Sequence, residues 1–147
     1  MFIRSREPLP TRLEGKWVSQ HFDLDLRVSG PNLTGTLTFK EGAALSPAVT
    51  NHTTEIVGYA DPNPLRDPKS PEHLHQALGF VAQVDIGDPK SGVHYVQSFT
   101  GQHHEEPNEP SEIVLSWTKT AEVPPETGDI DELWYQTRIG FDRFTRP

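Results

Sequence analysis

Residues 134–147 read WYQTRIGFDRFTRP and alternate in the way a β-strand does. One face would carry Ile139 and Phe141, and the other Arg138, Gly140, Asp142 and Phe144. Neither set is wholly polar, so we expect both faces of this strand to be covered. An aspartate beside a glycine on a covered face therefore requires a specific role, and that role bears on what the protein does.

The rest of the chain divides into similar segments separated by proline, which lacks a donor for a β-ladder. None of the 14 prolines falls inside a predicted strand. No segment has a sustained helical period, so the sequence predicts an all-β, eight-stranded antiparallel up-and-down barrel, with a β-sandwich as the alternative. The predicted strands are residues 16–21, 23–28, 33–39, 54–60, 77–85, 93–102, 112–120 and 133–145.

The composition excludes several classes of function. A chain of 147 residues fits one domain, which we place at residues 15–147 after an N-terminal extension at residues 1–14. A formal charge of −8 disfavours nucleic acid and anionic membranes as partners. The lack of cysteine removes disulfides and thiolate chemistry. The polar start MFIRSREPLP does not resemble a secretory signal, so we expect a soluble, cytoplasmic protein.

The alternation within residues 93–102 places one amide in the barrel interior. Tyr95, Gln97 and Phe99 share a face, and the large groups on that face favour the inside. Gln97 is then a polar group among mostly apolar ones. A buried amide needs hydrogen-bond partners, which either the barrel wall or a ligand would supply.

Short motifs recur in order along the predicted strands: GKW at 15–17, LTGTL at 33–37, LGF at 78–80, SFTGQ at 98–102, the tryptophan of LSWTKT, and W-x-x-TRIG-x-D-x-FTR at 134–146. Together they resemble the avidin and streptavidin family. The resemblance implies an eight-stranded up-and-down barrel that binds biotin in its mouth, usually as a tetramer. It also implies a binding protein that has no catalytic activity and no cofactor.

The resemblance assigns roles to three residues of the last two strands. Trp117 stands where the family has a tryptophan of the pocket wall. Trp134 stands where the family has the tryptophan that reaches into a neighbouring subunit's pocket. Asp142 matches the residue that accepts a hydrogen bond from a ureido nitrogen of biotin. A structural carboxylate, held by an internal ion pair or hydrogen bonds, is the alternative for Asp142.

The rest of the implied pocket departs from the family pattern. Three donors surround the ureido oxygen in the family: Ser19 stands at the first of these positions and can still donate, whereas Leu37 at another cannot. The remaining donor position falls at Phe22 or Asp23, depending on the turn between the first two strands, and alternation favours Phe22 inside. Larger or less polar groups also stand at further pocket positions, namely Phe39, Val84, Tyr95, Gln97 and Phe99.

These departures predict a pocket for a small, mostly apolar ligand with at least one donor for Asp142, and weak or no binding of biotin. Two alternatives remain open. One is an enzyme, such as a cyclase or isomerase of a hydrophobic substrate, with Asp142 and Tyr95 as acid and base and Arg138 nearby. The other is a barrel filled by its own side chains that serves as an oligomeric structural protein.

Two histidine-rich stretches could in principle bind a metal. They are His73-Leu74-His75 and His103-His104-Glu105-Glu106. Both are predicted to lie in loops, within residues 61–76 and 103–111, at the barrel end opposite the implied pocket. We expect solvated loops there and no metal site.

The resemblance also implies self-association. Trp134 occupies the family's intersubunit position, and Val114, Thr118 and Ile139 would point outward on strands that pair subunits in that family. Apolar rows left open on a monomer favour aggregation. We therefore expect a homo-oligomer, a tetramer or otherwise a dimer.

Overall fold

The structure is a computed structural model that describes residues 3–4, 12–40, 49–88, 93–106, 108–121 and 137–147. Within these ranges the chain forms ten strands and no α-helix. They are β1 (Ile3–Arg4), β2 (Gly15–Val18), β3 (Phe22–Ser29), β4 (Asn32–Phe39), β5 (Thr53–Ala60), β6 (Leu65–Asp67), β7 (Ser70–Ile86), β8 (Val93–Glu105), β9 (Glu112–Ala121) and β10 (Thr137–Thr145).

Eight of these strands close into a barrel. Going round the wall, β2 pairs with β3, then follow β4, β5, β7, β8, β9 and β10, all in antiparallel pairs. The pairing of Thr145 with Val18 joins β10 to β2 and closes the circle. The prediction of an eight-stranded up-and-down barrel is therefore confirmed. No helix in the described ranges is long and apolar enough to cross a bilayer.

The remaining two strands form an addition to the barrel wall. β6 pairs with the first part of β7, and β1 pairs with β6. The prediction of a loop over residues 61–76 was therefore wrong. β7 includes Pro71, which lies where the register between β6 and β7 shifts. A proline at such an irregularity does not interrupt a regular ladder, so the strand continues through it.

The histidine-rich stretches also lie in strands and not in loops. β8 continues through Glu105, three residues beyond the predicted end at residue 102, and pairs with the first part of β7. His75 faces His104 across this pair, with ring centroids 5.8 Å apart. The described residues contain no group of three or more side chains that could hold a metal ion.

The strand directions define two barrel ends. At the first, which we call the rim, β2, β4, β7 and β9 end and the other barrel strands begin. The turn at residues 19–21 lies at the rim, and residues 41–48, 89–92 and 122–136 lie outside the described ranges. At the opposite end, the floor, β8 ends and β9 begins.

Alternation along each strand fills the interior with apolar side chains. Every second residue of β3 and β4 faces inward, and all of these are buried except the half-buried Val28 and Gly35. The outward neighbours are mostly charged residues or threonines. Gly35 permits the tight coiling of this region, because a Cβ there would lie 1.9 Å from the carbonyl oxygen of Asp25. Leu13, in the predicted N-terminal extension, is also fully buried, and its carbonyl oxygen accepts a hydrogen bond from Trp17 Nε1.

Candidate functional site

The polar groups of the barrel interior gather mainly at the rim. Ser19, Gln97, Lys119 and Asp142 are all buried there, together with the largely buried Tyr95. The central layers are almost wholly leucine, isoleucine and phenylalanine. A small number of polar groups at the edge of an apolar interior is the composition typical of a small-molecule site.

Gly140 and Asp142 act together on one tryptophan. Gly140 lies opposite Trp117 in the ladder, and a Cβ on Gly140 would lie 2.0 Å from Cζ2 of the indole. The glycine thus provides the space in which the indole lies flat across β10. Trp117 Nε1 then donates to Asp142 Oδ2 at 2.9 Å. This arrangement explains why an aspartate follows a glycine on the covered face of the last strand.

His21 supplies the second donor to Asp142. β2 ends at Val18, and residues 19–21 form a tight turn in which Ser19 Oγ accepts from the backbone N–H of Phe22 at 3.0 Å. The turn places His21 Nδ1 at 3.1 Å from Asp142 Oδ1. Asp142 is 3% exposed, and both of its oxygens already accept hydrogen bonds from the protein.

Phe22 occupies the centre of the interior just below this cluster. It is fully buried, and its ring centroid lies 5.3 Å from that of Phe99 and 5.5 Å from that of Phe39. Phe144 and Trp117 lie at 6.3 Å. The contacts with Phe39, Phe99 and Trp117 are edge-to-face, which is a favourable geometry for aromatic rings. Phe22 therefore fills the middle of the barrel below the polar groups of the rim.

On the side of the rim formed by β8 and β9, a lysine lies over a tyrosine. Lys119 Nζ is 4.0 Å from the centroid of the Tyr95 ring, and Lys119 is opposite Gln97 in the ladder. Burial, and then the charge of Arg138, lower the pKa of Lys119. Burial raises the pKa of Tyr95, which stays protonated. Its hydroxyl is buried and has no hydrogen-bond partner in the described structure.

A recess of about 370 Å³ opens beside Tyr95 at the rim. Val84 and Tyr95 belong to its inner side, and Val96 and Thr120 to its outer side. Asp85 and His94 border it and are joined by a short hydrogen bond. Most of its lining, including Gln83, Val96 and Thr120, consists of exposed residues, so the recess lies on the outer wall near Tyr95.

Comparison with solved structures identifies the architecture. The crystal structure of xenavidin superposes with a TM-score of 0.66 over 95% of this chain and 100% of that chain, at 17% sequence identity. The chain has an avidin-like fold. No family model matches the sequence, and no curated protein matches it either.

Most residues predicted for the pocket face the interior of this avidin-like barrel. The buried ones are Ser19, Phe22, Leu37, Phe39, Val84, Tyr95, Gln97, Phe99 and Asp142, and Trp117 is partly buried. The ambiguity between Phe22 and Asp23 is resolved by the pairing of Val18 with Asp23. Asp23 lies on the outer wall, where one of its oxygens is 3.6 Å from Lys40 Nζ. Trp134 lies outside the described residues.

Two site residues were missed by sequence reasoning. Lys119 follows Trp117 by two positions, so alternation alone would have placed it inside the barrel. His21 was assigned to the first strand, whereas it lies in the turn that follows β2. In the described structure Asp142 is bonded to His21 and Trp117, and no hydrogen bond joins it to Tyr95.

A second polar cluster lies at the floor, around the fully buried His103. Its Nδ1 is 3.1 Å from Gln76 Oε1, and its Nε2 is 3.0 Å from Ser111 Oγ. Gln76 Nε2 donates to the carbonyl oxygen of Asp61, which orients the amide so that its oxygen accepts from His103 Nδ1–H. Burial lowers the pKa of His103 to about 4, against the opposing effect of Glu105. His103 therefore serves as a neutral structural link between strands.

Proposed function

We propose that this protein binds a small, mostly apolar molecule at the rim of its barrel. The observation that carries the proposal is that two buried polar groups at the rim lack full hydrogen-bond or charge partners among the described residues. Tyr95 has a buried hydroxyl without a partner in the described structure, and Lys119 is a buried cation beside it. Unsatisfied buried groups cost about 1–3 kcal/mol each, and a ligand that satisfies them recovers that cost.

The apolar part of the proposed site comes from the walls around these groups. Phe39 meets Tyr95 edge to face at 6.2 Å, and Val84 lies opposite Tyr95 in the ladder. Phe22 limits how deep a ligand can lie. We therefore infer a ligand that occupies the rim layer and leaves the centre of the barrel to the protein's own rings.

Biotin should bind weakly or not at all. Leu37 and Phe22 stand inside the barrel where the resemblance would require donors to a ureido oxygen. Asp142, which would accept from a ureido nitrogen, already accepts from His21 and Trp117. Binding would have to displace one of these donors, at a cost of about 1.5–3 kcal/mol for a hydrogen bond to a charged group.

Calorimetric titration tests this proposal. We expect 1-octanol or octanoate to give a saturable heat, and biotin to give an apparent Kd weaker than about 1 μM. Exchange of the rim residue Val84 for Trp should abolish that heat by filling the rim layer. Exchange of the outward-facing Thr34 for Trp should leave it unchanged, because Thr34 is exposed on the outer wall of β4. Nanomolar binding of biotin would contradict the proposed selectivity.

A filled barrel is the second candidate, and the position of Phe22 is the observation that favours it. Phe22 packs against Phe39, Phe99 and Phe144 with no exposed surface. If the barrel only stabilises an assembly, the wild-type protein should bind none of the probes. The Phe22→Ala variant, by contrast, should bind 1-octanol in the space that the ring leaves and lose about 3–5 kcal/mol of stability.

We also propose that the protein is a homo-oligomer, a tetramer or otherwise a dimer. Two rows on the outer wall of β5, β7, β8, β9 and β10 lack charged residues, and we call them the outer strip. One row is Val57, Val81, Ser98, Thr118 and Ile139, and the other is Tyr59, Gly79, Thr100, Ser116 and Phe141. Tyr59 is 70% exposed and Ile139 is 80% exposed in the single chain. A second copy of the chain would cover this apolar surface.

A further inference from the structure

Lys119 is a buried ammonium group for which the described structure provides no carboxylate partner. The residue is 7% exposed, and its interaction in the described structure is with the ring of Tyr95, 4.0 Å from Nζ. Burial of a cation is costly unless an anion and hydrogen bonds compensate it. A tyrosine ring offsets only part of that cost, because a cation–π contact is weaker than a paired charge.

The strands on either side of Lys119 do not neutralise it. Arg138 is directly opposite on β10 and adds a second positive charge. Gln97 is directly opposite on β8 and contributes an uncharged amide. Among the described residues the only buried carboxylate is that of Asp142. It pairs with Leu115 in the ladder, four residues along β9 from Lys119, or roughly 13 Å at the usual rise per residue.

Hydrogen-bond donors also gather in this layer. The Tyr95 hydroxyl stays protonated and has no partner in the described structure, and the Gln97 side chain carries two amide protons. Residues opposite each other on neighbouring strands have Cβ atoms about 4.5–5.5 Å apart. Gln97 and Lys119 are such a pair, so both side chains can contact the same functional group of a ligand. An ammonium, a hydroxyl and an amide are all donors. A group that only accepts hydrogen bonds and carries negative charge fits all three.

We propose that the ligand of the rim is a small carboxylic acid with an apolar body, bound with its carboxylate between Lys119, Gln97 and Tyr95. The inference rests on the proposed function and specifies the class of ligand. The hydrocarbon part would lie against Val84 and Phe39. Charge-assisted hydrogen bonds are stronger than neutral ones, so the carboxylate would contribute selectivity as well as affinity.

The test compares octanoate with 1-octanol, two probes with the same chain length and different head groups. Wild-type protein should bind octanoate about tenfold to a hundredfold more tightly than 1-octanol, as expected for one or two charge-assisted hydrogen bonds. Lys119→Met, which keeps the length of the side chain and removes the charge, should bind both probes alike. Lys16→Met on the exposed outer wall is the matched control and should keep the preference.

A pH series gives a second readout that simple loss of fold would not mimic. Only the protonated lysine attracts a carboxylate, so affinity for octanoate should fall as pH rises through the lowered pKa of Lys119. The titratable groups that act on Lys119 in the described structure are Tyr95 on β8 and Arg138 on β10, and both should keep their protons through this range. Lys119→Met should lose this pH dependence and retain or gain thermal stability, because no buried charge remains.

The outcomes separate this inference from the proposed function. Equal binding of octanoate and 1-octanol by the wild-type protein would overturn the carboxylate assignment and leave small-molecule binding intact. A preference for octanoate that survives in Lys119→Met would overturn the role of Lys119. If neither probe binds, the proposed function fails, and the assignment fails with it.

Discussion

The side chains at the rim show how single residues determine which buried polar groups the protein itself holds. Trp117 can lie across β10 only because Gly140 has no Cβ, and Asp142 then accepts from the indole. His21 lies in the turn after β2, and 31% of its side chain is exposed. It donates the second hydrogen bond to Asp142. The carboxylate is thus held by the protein itself. In the described structure, by contrast, the neighbouring Tyr95 hydroxyl has no hydrogen-bond partner, and Lys119 lies over the Tyr95 ring.

Tyr95→Phe removes one hydroxyl group and should change the stability of the protein and its affinity for a ligand in opposite directions. Removal of a buried hydroxyl without a partner should raise the free energy of unfolding by about 1 kcal/mol. The same change should weaken octanoate binding about twofold to tenfold, because a donor to the ligand is lost. Denaturant unfolding and calorimetry measure the two effects. Tyr59→Phe on the exposed outer wall is the control and should change neither.

Gly140→Ala should be strongly destabilising. The added methyl group would overlap the indole of Trp117 at 2.0 Å, so the ring must move and its hydrogen bond to Asp142 must break. We expect a loss of about 2–4 kcal/mol, from overpacking together with the lost buried hydrogen bond. Gly79→Ala is the comparison, since its Cβ would meet its nearest neighbours at 3.1 Å. Equal stability of the two variants would contradict the role given to Gly140.

The strands show which parts of the fold alternation can predict. The predicted segments 33–39, 54–60 and 112–120 agree with β4, β5 and β9 to within one residue, because each is rich in β-branched and aromatic residues. The β6–β7 hairpin was missed because its prolines and histidines are typical of loops. The first part of β7 also pairs with β8, and a local sequence pattern does not predict pairing with a strand elsewhere in the chain. The same limit applies to His21, whose role depends on Asp142 in the last strand.

At the floor, the pairing of β7 with β8 buries His103 as a neutral imidazole, which makes stability dependent on pH. The pKa of His103 is about 4 in the folded protein and 6.5 ordinarily. Between pH 4 and pH 6.5, therefore, His103 binds a proton in the unfolded chain but not in the folded one. The free energy of unfolding should be at its full value above pH 6.5 and should decrease as the pH falls from 6.5 toward 4. Denaturant unfolding at several pH values measures this slope. His103→Gln should flatten it, whereas His52→Gln should retain it, and an unchanged slope in His103→Gln would contradict the assignment.

At the scale of the whole molecule, the barrel has an outer wall with two distinct characters. The outward residues of β3 include Asp23 and Arg27, whereas the outer strip on β5 and β7–β10 carries no charge. The resemblance to the avidin and streptavidin family predicted both the barrel and an apolar outward row. It did not predict the filled centre, because that depends on how Phe22 packs against four other rings.

A charge placed in the outer strip should dissociate the oligomer. Phe141 is 58% exposed in the single chain, and Phe141→Lys would bury an unpaired ammonium in any interface formed there. Light scattering should show a tetramer or dimer for the wild-type protein and a monomer for this variant. Ser29→Lys, on the outer wall of β3, should keep the wild-type mass. A monomeric wild-type protein at micromolar concentration would contradict the assembly.

Trp117 lies near the rim and Trp17 packs against His103 near the floor, so their signals test the proposed binding of a ligand at the rim. Trp117 Nε1 donates to Asp142 at the rim, and Trp17 Nε1 donates to the carbonyl oxygen of Leu13 near the floor. The indole N–H signals can be observed in a ¹H–¹⁵N spectrum and assigned by exchange of each tryptophan for phenylalanine. Titration with octanoate should shift the Trp117 signal in a saturable manner and leave the Trp17 signal in place. A shift confined to Trp17, or no shift of either signal, would contradict ligand binding at the rim.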